Sequence, residues 1–179
     1  KRENIIERKV EPELLWLTEF LPKDAVFIDV GANVGHFLYQ LDYHLFPQNI
    51  YAFEPNKSLN KKLKRLFPKV NVFSVALSDE NTTAEFKIPV LKGKQVNSRG
   101  TLQTDFKEEN EEKTVIQKVK VVKLDDFEPL KKLKKLDFIK IDVEGNEMKT
   151  LRGAKETILK FRPTLMVEME QRHHKEPLW

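Results

Sequence analysis

The sequence contains no cysteine. Disulfide scaffolds, thiolate metal sites and cysteine nucleophiles are therefore excluded. A reducing compartment is compatible with this, and a cytoplasmic location is expected. Glycine (6) and proline (9) are scarce among the 179 residues, which excludes collagen-like and low-complexity chains. No apolar run approaches the roughly 20 residues that cross a bilayer, and mean hydropathy is −0.53. The start, Lys1-Arg2-Glu3-Asn4, is charged and has no apolar stretch, so no signal peptide is expected. It also lacks Met, which is compatible with removal of an upstream segment. Neither sign of charge dominates, with 32 Lys and Arg against 28 Asp and Glu, a net +4. The basic clusters at Lys57–Arg65 and Lys131–Lys135 read as solvated helix faces. A nucleic-acid partner is not expected, because dedicated binders gather more basic charge on one face.

What is present is enough apolar material, 40% of residues, for one domain of ordinary size. We read residues 1–179 as a single domain. Residues 1–22 form an N-terminal helical segment, with Leu14, Leu17 and Leu21 on one face of a helix over 11–21. The run A-V-F-I-D-V (25–30) is apolar throughout, as in a strand buried on both faces. A helix follows, with Val34, Phe37, Leu38, Leu41 and Leu45 at helical spacing. Strand 50–53, helix 58–67 capped by Asn56 or Ser58, and strand 70–75 complete a β-α-β-α-β unit. Residues 80–124 interrupt it as a hairpin and lid insertion, with strands at 83–89 and 115–124. The polar stretch between those strands reads as a long exposed loop, mobile over much of its length. The alternation then resumes with strand 136–142, helix 146–160 with Met148, Leu151, Ala154 and Ile158 inward, and strand 164–170. The fold class is α/β, a doubly wound, mostly parallel, Rossmann-like sheet.

In such a sheet, ligands sit at the carboxyl ends of the strands. After the first strand stands D-V-G-A-N-V-G, with Asp29, Gly31, Ala32, Asn33 and Gly35. Gly31 permits a sharp turn, and Gly35 allows close helix packing or the approach of a ligand to backbone N–H groups. After the second strand stands Glu54, 23 residues past Gly31. An acid at that distance is the usual acceptor of ribose hydroxyls. After the third come Ala76, Leu77, Ser78 and Asp79, an apolar slot with polar groups for an adenine. After the fourth come Asp142, Glu144 and Glu147; Asp142 faces the first-strand loop, and Glu147 suits the helix start electrostatically. After the fifth come Glu168, Glu170, Arg172, His173 and His174, and a histidine at a cleft is a candidate general base. No metal is assigned. Trp16 and Trp179 read as packing residues.

These motifs, F-I-D-V-G-A-N-V-G, Y-A-F-E-P, V-A-L-S-D, D-F-I-K-I-D-V-E-G-N-E-M-K-T-L-R-G-A and V-E-M-E, occur in an order that resembles the FkbM-type methyltransferases of the class I fold. The resemblance covers roughly residues 20–170. It implies S-adenosyl-L-methionine as cofactor, S-adenosyl-L-homocysteine as product, and O-methylation of a hydroxyl on a sugar, glycan or other small molecule. It further implies that Gly31, Asn33 and Gly35 wrap the methionine end and that Asp29 helps hold its ammonium. Glu54 would then bind the ribose, Ala76, Leu77 and Ser78 would lie by the adenine, and Asp142 would close the pocket. The class I sheet has seven strands and five are counted here, so the last two are expected beyond Trp179. His173 is the first candidate base and Glu144 the second, with Asp142 and Glu144 orienting the acceptor hydroxyl. Asn97, Ser98, Arg99 and Thr101 form the candidate acceptor lid, in which Arg99 suits an acidic sugar or phosphate. Three rivals remain. An NAD-dependent oxidoreductase fits Glu54, but Asn33 stands where its second glycine would be. An RNA methyltransferase would show steep salt dependence. A non-catalytic module would keep the nucleotide-type pocket without turnover.

Overall fold

Strand β1, Phe27–Val30, is the element on which both layers of the core are built. Its alternate residues enter different clusters: Phe27 packs with Leu38, Leu41 and Leu63 on one face, Ile28 and Val30 with Phe53, Ile139 and Ile141 on the other. Burial on both faces explains its unbroken apolar run. The computed structural model describes residues 12–174, 177 and 178. Glu11 and Trp179 therefore lie outside the described residues.

The described chain runs α1 (Pro12–Phe20), β1, α2 (His36–His44), β2 (Ile50–Phe53), α3 (Lys57–Leu66), β3 (Asn71–Phe73) and β4 (Val75–Leu77). It continues through β5 (Thr82–Leu91), β6 (Lys94–Gln95), β7 (Lys113–Val122), β8 (Phe138–Ile141), α4 (Glu147–Gly153), α5 (Lys155–Phe161) and β9 (Thr164–Val167). One sheet has the order β3-β2-β1-β8-β9, all parallel. The chain winds outward from β1 in one direction, then returns to β8 on its other side, so the switch point lies between β1 and β8. The mixed α/β architecture with its parallel sheet is compatible with a Rossmann-like fold. Leu14, Leu17 and Leu21 are buried as their spacing predicts, and the Asn56 side chain caps α3 by accepting from the N–H groups of Ser58 and Leu59. Trp16 is half exposed and stacks on Phe20 at 4.5 Å.

Six local expectations are corrected. The strand expected at 70–75 is two strands, because the chain leaves the parallel sheet after Phe73 and β4 pairs with β7 in a second sheet, β4-β7-β5-β6. The helix expected at 146–160 is also two. The Gly153 carbonyl accepts the Asp125 N–H instead of continuing the helix, and the Asp125 carboxylate accepts the N–H groups of Glu156 and Thr157 to start α5. Met148 points outward, not inward. The buried positions of α4 are Glu147, Thr150 and Gly153, because this face docks on the polar backbone end of β4. The final strand stops at Val167 rather than 170. The stretch between β5 and β7 is not a free loop. It carries β6, a 3₁₀ turn over Asn97–Arg99 and a two-hydrogen-bond bridge between Lys87 and Thr101, and it buries Thr101 and Glu108. The second lysine cluster follows a 3₁₀ turn rather than lying on a helix face.

Candidate functional site

Gly31 ends β1 at the switch point. Its φ is +83°, and a Cβ there would stand 1.8 Å from the carbonyl oxygen of Asp142. Only glycine lets the ends of β1 and β8 close this tightly, and the closure sets Asp142 beside the first turn. Asn33 follows with φ 48°, a value that Asn tolerates better than most residues. Its backbone N–H donates to Glu54 Oε2, and that of Asn56 donates to Glu54 Oε1, each at 2.7 Å. Glu54 is thus fixed between two turns at the end of β2. Burial pushes its carboxyl up to about 7, against the two backbone N–H groups and Lys140, which pull it down.

Lys140 lies in β8 directly across the ladder from Asp29. Its Nζ is 3.4 Å from Asp29 Oδ1, 3.2 Å from Asp142 Oδ2 and donates to the Gly31 carbonyl at 3.0 Å. Burial would lower its proton affinity, but the carboxylates of Asp29 and Asp142 outweigh burial and hold it above the ordinary lysine value. Lys140 thereby neutralises a buried acid and fixes a half-buried one.

Two cavities meet here. A narrow one, about 50 Å³, lies over the ends of β1, β2 and β4 and is lined by Glu54, Ala76, Leu77, Phe86, Leu102 and Asn146 among others. A wider cleft of about 680 Å³ is lined by Ala32, Arg99, Lys140, Glu168, Glu170 and Arg172 among others. Gly31, Asn33, Ser98, Asp142 and Glu144 line both and form the seam between them.

The structure gathers most of the sequence-derived candidates at this seam, and several stand elsewhere. Asp29 is 1% exposed and lies behind Lys140, lining neither cavity. Gly35 packs the start of α2 against Leu63 and Phe67. Ser78 is buried, with its hydroxyl on Asp79 and its N–H on Val122, and Asp79 pairs with Arg152. Asn97 and Ser98 line the narrow cavity, and Asn97 Oδ1 accepts from the Asn56 side chain. Thr101 lines neither cavity and donates to the Glu144 carbonyl at 2.6 Å. Arg99 lines the wider cleft and is bonded to Glu108 at 3.0 Å. His173 is buried and lines neither cavity; Nε2 faces Glu144 Oε2 at 2.9 Å and Nδ1 faces Gln103 Oε1 at 3.2 Å. Both nitrogens are engaged, so His173 holds Glu144 rather than facing the cleft. Arg172 also bonds Glu144, together with Glu108 and Glu170. Glu147 folds back to accept the Gly145 N–H, and His174 stands 3.8 Å from it.

Residue-by-residue reading missed Lys140, Asn146, Phe86, Leu102 and Glu108. A signal for Lys140 exists: F-I-D-V and F-I-K-I carry opposite charges at the same place in two buried strands. The others come from distant elements and have no local signature.

The donor set fits a nucleoside-bearing cation. The Glu54 carboxylate retains lone pairs for two hydroxyls beyond its two backbone bonds. Asn33 Oδ1 is buried without a hydrogen-bond partner among the described residues, an acceptor matched to an ammonium. Among those residues no helix is long and apolar enough to cross a membrane.

Residues 29–177 match the sequence profile of a family described as the methyltransferase FkbM domain. A curated relative, the AMB antimetabolite synthetase AmbE of Pseudomonas aeruginosa, is 37% identical over 70 residues. That stretch is 37% of this chain but 3% of AmbE, so the chain spans a small part of that protein's length. No solved structure matches.

Proposed function

Because this chain belongs to the FkbM methyltransferase family, we propose that it is an S-adenosylmethionine-dependent O-methyltransferase acting on a hydroxyl of a small, sugar-like acceptor. When bound, S-adenosylmethionine supplies an electrophilic methyl group on a sulfonium centre. The observation that carries the reading is Glu54. Its carboxylate is fixed through both oxygens at the end of β2, in the narrow cavity, in position to accept a ribose diol. Ala76 and Leu77, with Phe86 and Leu102 opposite, give apolar walls for an adenine. Asn33 accepts from the ammonium of the amino-acid end. Asp29 acts through Lys140, which holds Asp142 at the seam.

The acceptor enters the wider cleft and presents its hydroxyl at the seam. Glu144, held by Arg172 and His173, orients that hydroxyl. Asp142 takes its proton as the oxygen attacks, with a side chain 32% exposed and lining both cavities. With that cofactor bound, the departing thioether would be neutral, so these residues would need to supply no acid. Alignment across the seam supplies several kcal/mol of the barrier, up to about 7–11, and a positioned base contributes about 10²–10⁴-fold.

The test is calorimetric titration with S-adenosylhomocysteine, beside NAD⁺ and beside Glu54→Ala. Micromolar binding that Glu54→Ala removes, with none for NAD⁺, is expected. Binding of NAD⁺ instead, or S-adenosylhomocysteine binding indifferent to Glu54→Ala, would overturn the cofactor assignment.

A further inference from the structure

The narrow cavity holds two side-chain amides that the proposed function leaves unassigned. Outside the seam, the polar side chains lining it among the described residues are Glu54, Asn97 and Asn146. Glu54 is assigned to the ribose. The polar groups expected beside an adenine are spent elsewhere: the Ser78 hydroxyl bonds Asp79, and Asp79 pairs with Arg152. The apolar walls offer a base a surface to lie on, but apolar contact cannot tell one purine from another. Amides of fixed orientation can.

Asn146 is 5% exposed and stands at the N-cap of α4, yet its side chain does not cap that helix. At this position the Asn oxygen ordinarily accepts from the N–H groups of the first turn. Here Nδ2 instead donates to the Leu77 carbonyl at 2.9 Å, and Thr150 Oγ1 donates to the same carbonyl at 3.0 Å. A carbonyl only accepts, so Nδ2 must face it and the amide cannot turn over. Oδ1 is left on the other branch, an acceptor with no hydrogen-bond partner among the described residues. A buried acceptor of this kind calls for a donor from a ligand or water.

Asn97 is oriented by a relay that begins at α3. Asn56 Oδ1 accepts the N–H groups of Ser58 and Leu59, so its Nδ2 faces away from the helix and donates to Asn97 Oδ1 at 3.0 Å. Asn97 Nδ2 is then a donor with no partner among the described residues. The turn that carries it is seated on the cavity wall, where a Cβ at Gly100 would stand 2.4 Å from the Phe86 ring. We propose that these two amides read the purine of the cofactor: Asn146 Oδ1 accepts from the 6-amino group, and Asn97 Nδ2 donates to the adjacent ring nitrogen, N1. Adenine offers that donor and acceptor side by side. A 6-oxopurine reverses both, with an oxygen at position 6 and a hydrogen on N1, and sets like group against like with no water to relieve either. Asn97 thereby moves from the acceptor lid to the cofactor site. The inference rests on the S-adenosylmethionine reading and adds base specificity to it.

The experiment titrates the full chain calorimetrically with S-adenosylhomocysteine and with S-inosylhomocysteine, which differs from it only at position 6 and N1 of the base. The adenosyl compound is expected to bind at least tenfold more tightly. Asn146→Ala and Asn97→Ala should each narrow that ratio at least threefold, a change that a general loosening of the cavity would not produce because it weakens both ligands alike. A wild-type ratio below tenfold overturns the proposal. So does a ratio that survives either substitution; for Asn146 it would mean that the oxygen serves the neighbouring cavity of about 310 Å³, which that residue also lines. If one variant does not fold, the wild-type ratio and the other variant decide. Failure of the wild-type protein to bind S-adenosylhomocysteine would sink the cofactor reading and this inference with it. Binding that Glu54→Ala removes, with the two purines held equally, would sink the inference only.

Discussion

Glu54 Oε2 accepts the backbone N–H of Asn33 at 2.7 Å, joining the end of β2 to the first turn after β1. The bond fixes the carboxylate, but burial still raises its proton affinity to about 7 from an ordinary 4.5. In this range the folded protein holds a proton that the unfolded chain has released. Stability from this group is therefore fully present below pH 4.5 and lost as pH rises to 7, a change on the order of 3 kcal/mol. Cofactor binding runs the opposite way, because two ribose hydroxyls need the ionised carboxylate. Affinity for S-adenosylhomocysteine should fall about tenfold between pH 8 and pH 6. Calorimetry across that range, with denaturant unfolding of the ligand-free protein beside Glu54→Gln, measures both slopes. Slopes of the same sign would sink the account.

Gly31 and Gly93 both have positive φ, +83° and +70°, but differ in their surroundings. A Cβ at Gly31 meets the Asp142 carbonyl at 1.8 Å, whereas one at Gly93 meets nothing within 4 Å. Gly93→Ala should cost only the backbone strain, about 1–2 kcal/mol. Gly31→Ala must separate the ends of β1 and β8 and should cost about 4 kcal/mol or more. Denaturant midpoints of the two variants compare the effects directly. Equal midpoints would mean that the seam is looser than drawn.

Much of this architecture is legible in the sequence, and the illegible parts share a cause. β1, β2 and β8 declare themselves because burial on both faces demands near-continuous apolar residues, and Gly31 and Glu54 stand at the strand ends, where both line the narrow cavity. The break after Phe73 has no such mark, since V-N-V-F-S-V reads as one strand whether it stays in one sheet or changes sheets. The polar segment before β7 looks mobile because its partners are remote: Thr101 finds the Glu144 carbonyl, and Glu108 finds Arg172. His173 looks like a free base for the same reason. Only the fold shows that Glu144 and Gln103 occupy its nitrogens.

Lys140 offers a test of how the site tolerates its charges. Lys140→Met keeps most of the volume and removes the cation between Asp29 and Asp142. Removing one partner of a buried ion pair costs about 3–5 kcal/mol, because the remaining charge is left desolvated. Asp29, 1% exposed, carries most of that penalty. Lys140→Met should therefore unfold at lower urea than wild type, and adding Asp29→Asn to it should recover part of the loss. Urea unfolding of the single and double variants is the measurement. A deficit that Asp29→Asn leaves unchanged would point to lost packing against Phe37, over which the ammonium sits at 5.2 Å, rather than to charge.

Asp125 tests the division between α4 and α5. Its two carboxylate oxygens accept the N–H groups of Glu156, at 3.0 Å, and Thr157, at 2.8 Å. Its own N–H takes the Gly153 carbonyl, which a continuous helix would have used. Asp125→Ala removes only the side-chain acceptor and should cost about 1 kcal/mol, the usual loss at a helix start. Asp125→Asn keeps an acceptor and should recover most of it. Amide exchange should quicken at Glu156 and Thr157 in the alanine variant and stay slow along β8. Uniform quickening along both would mean that the cap supports the whole sheet rather than the start of α5.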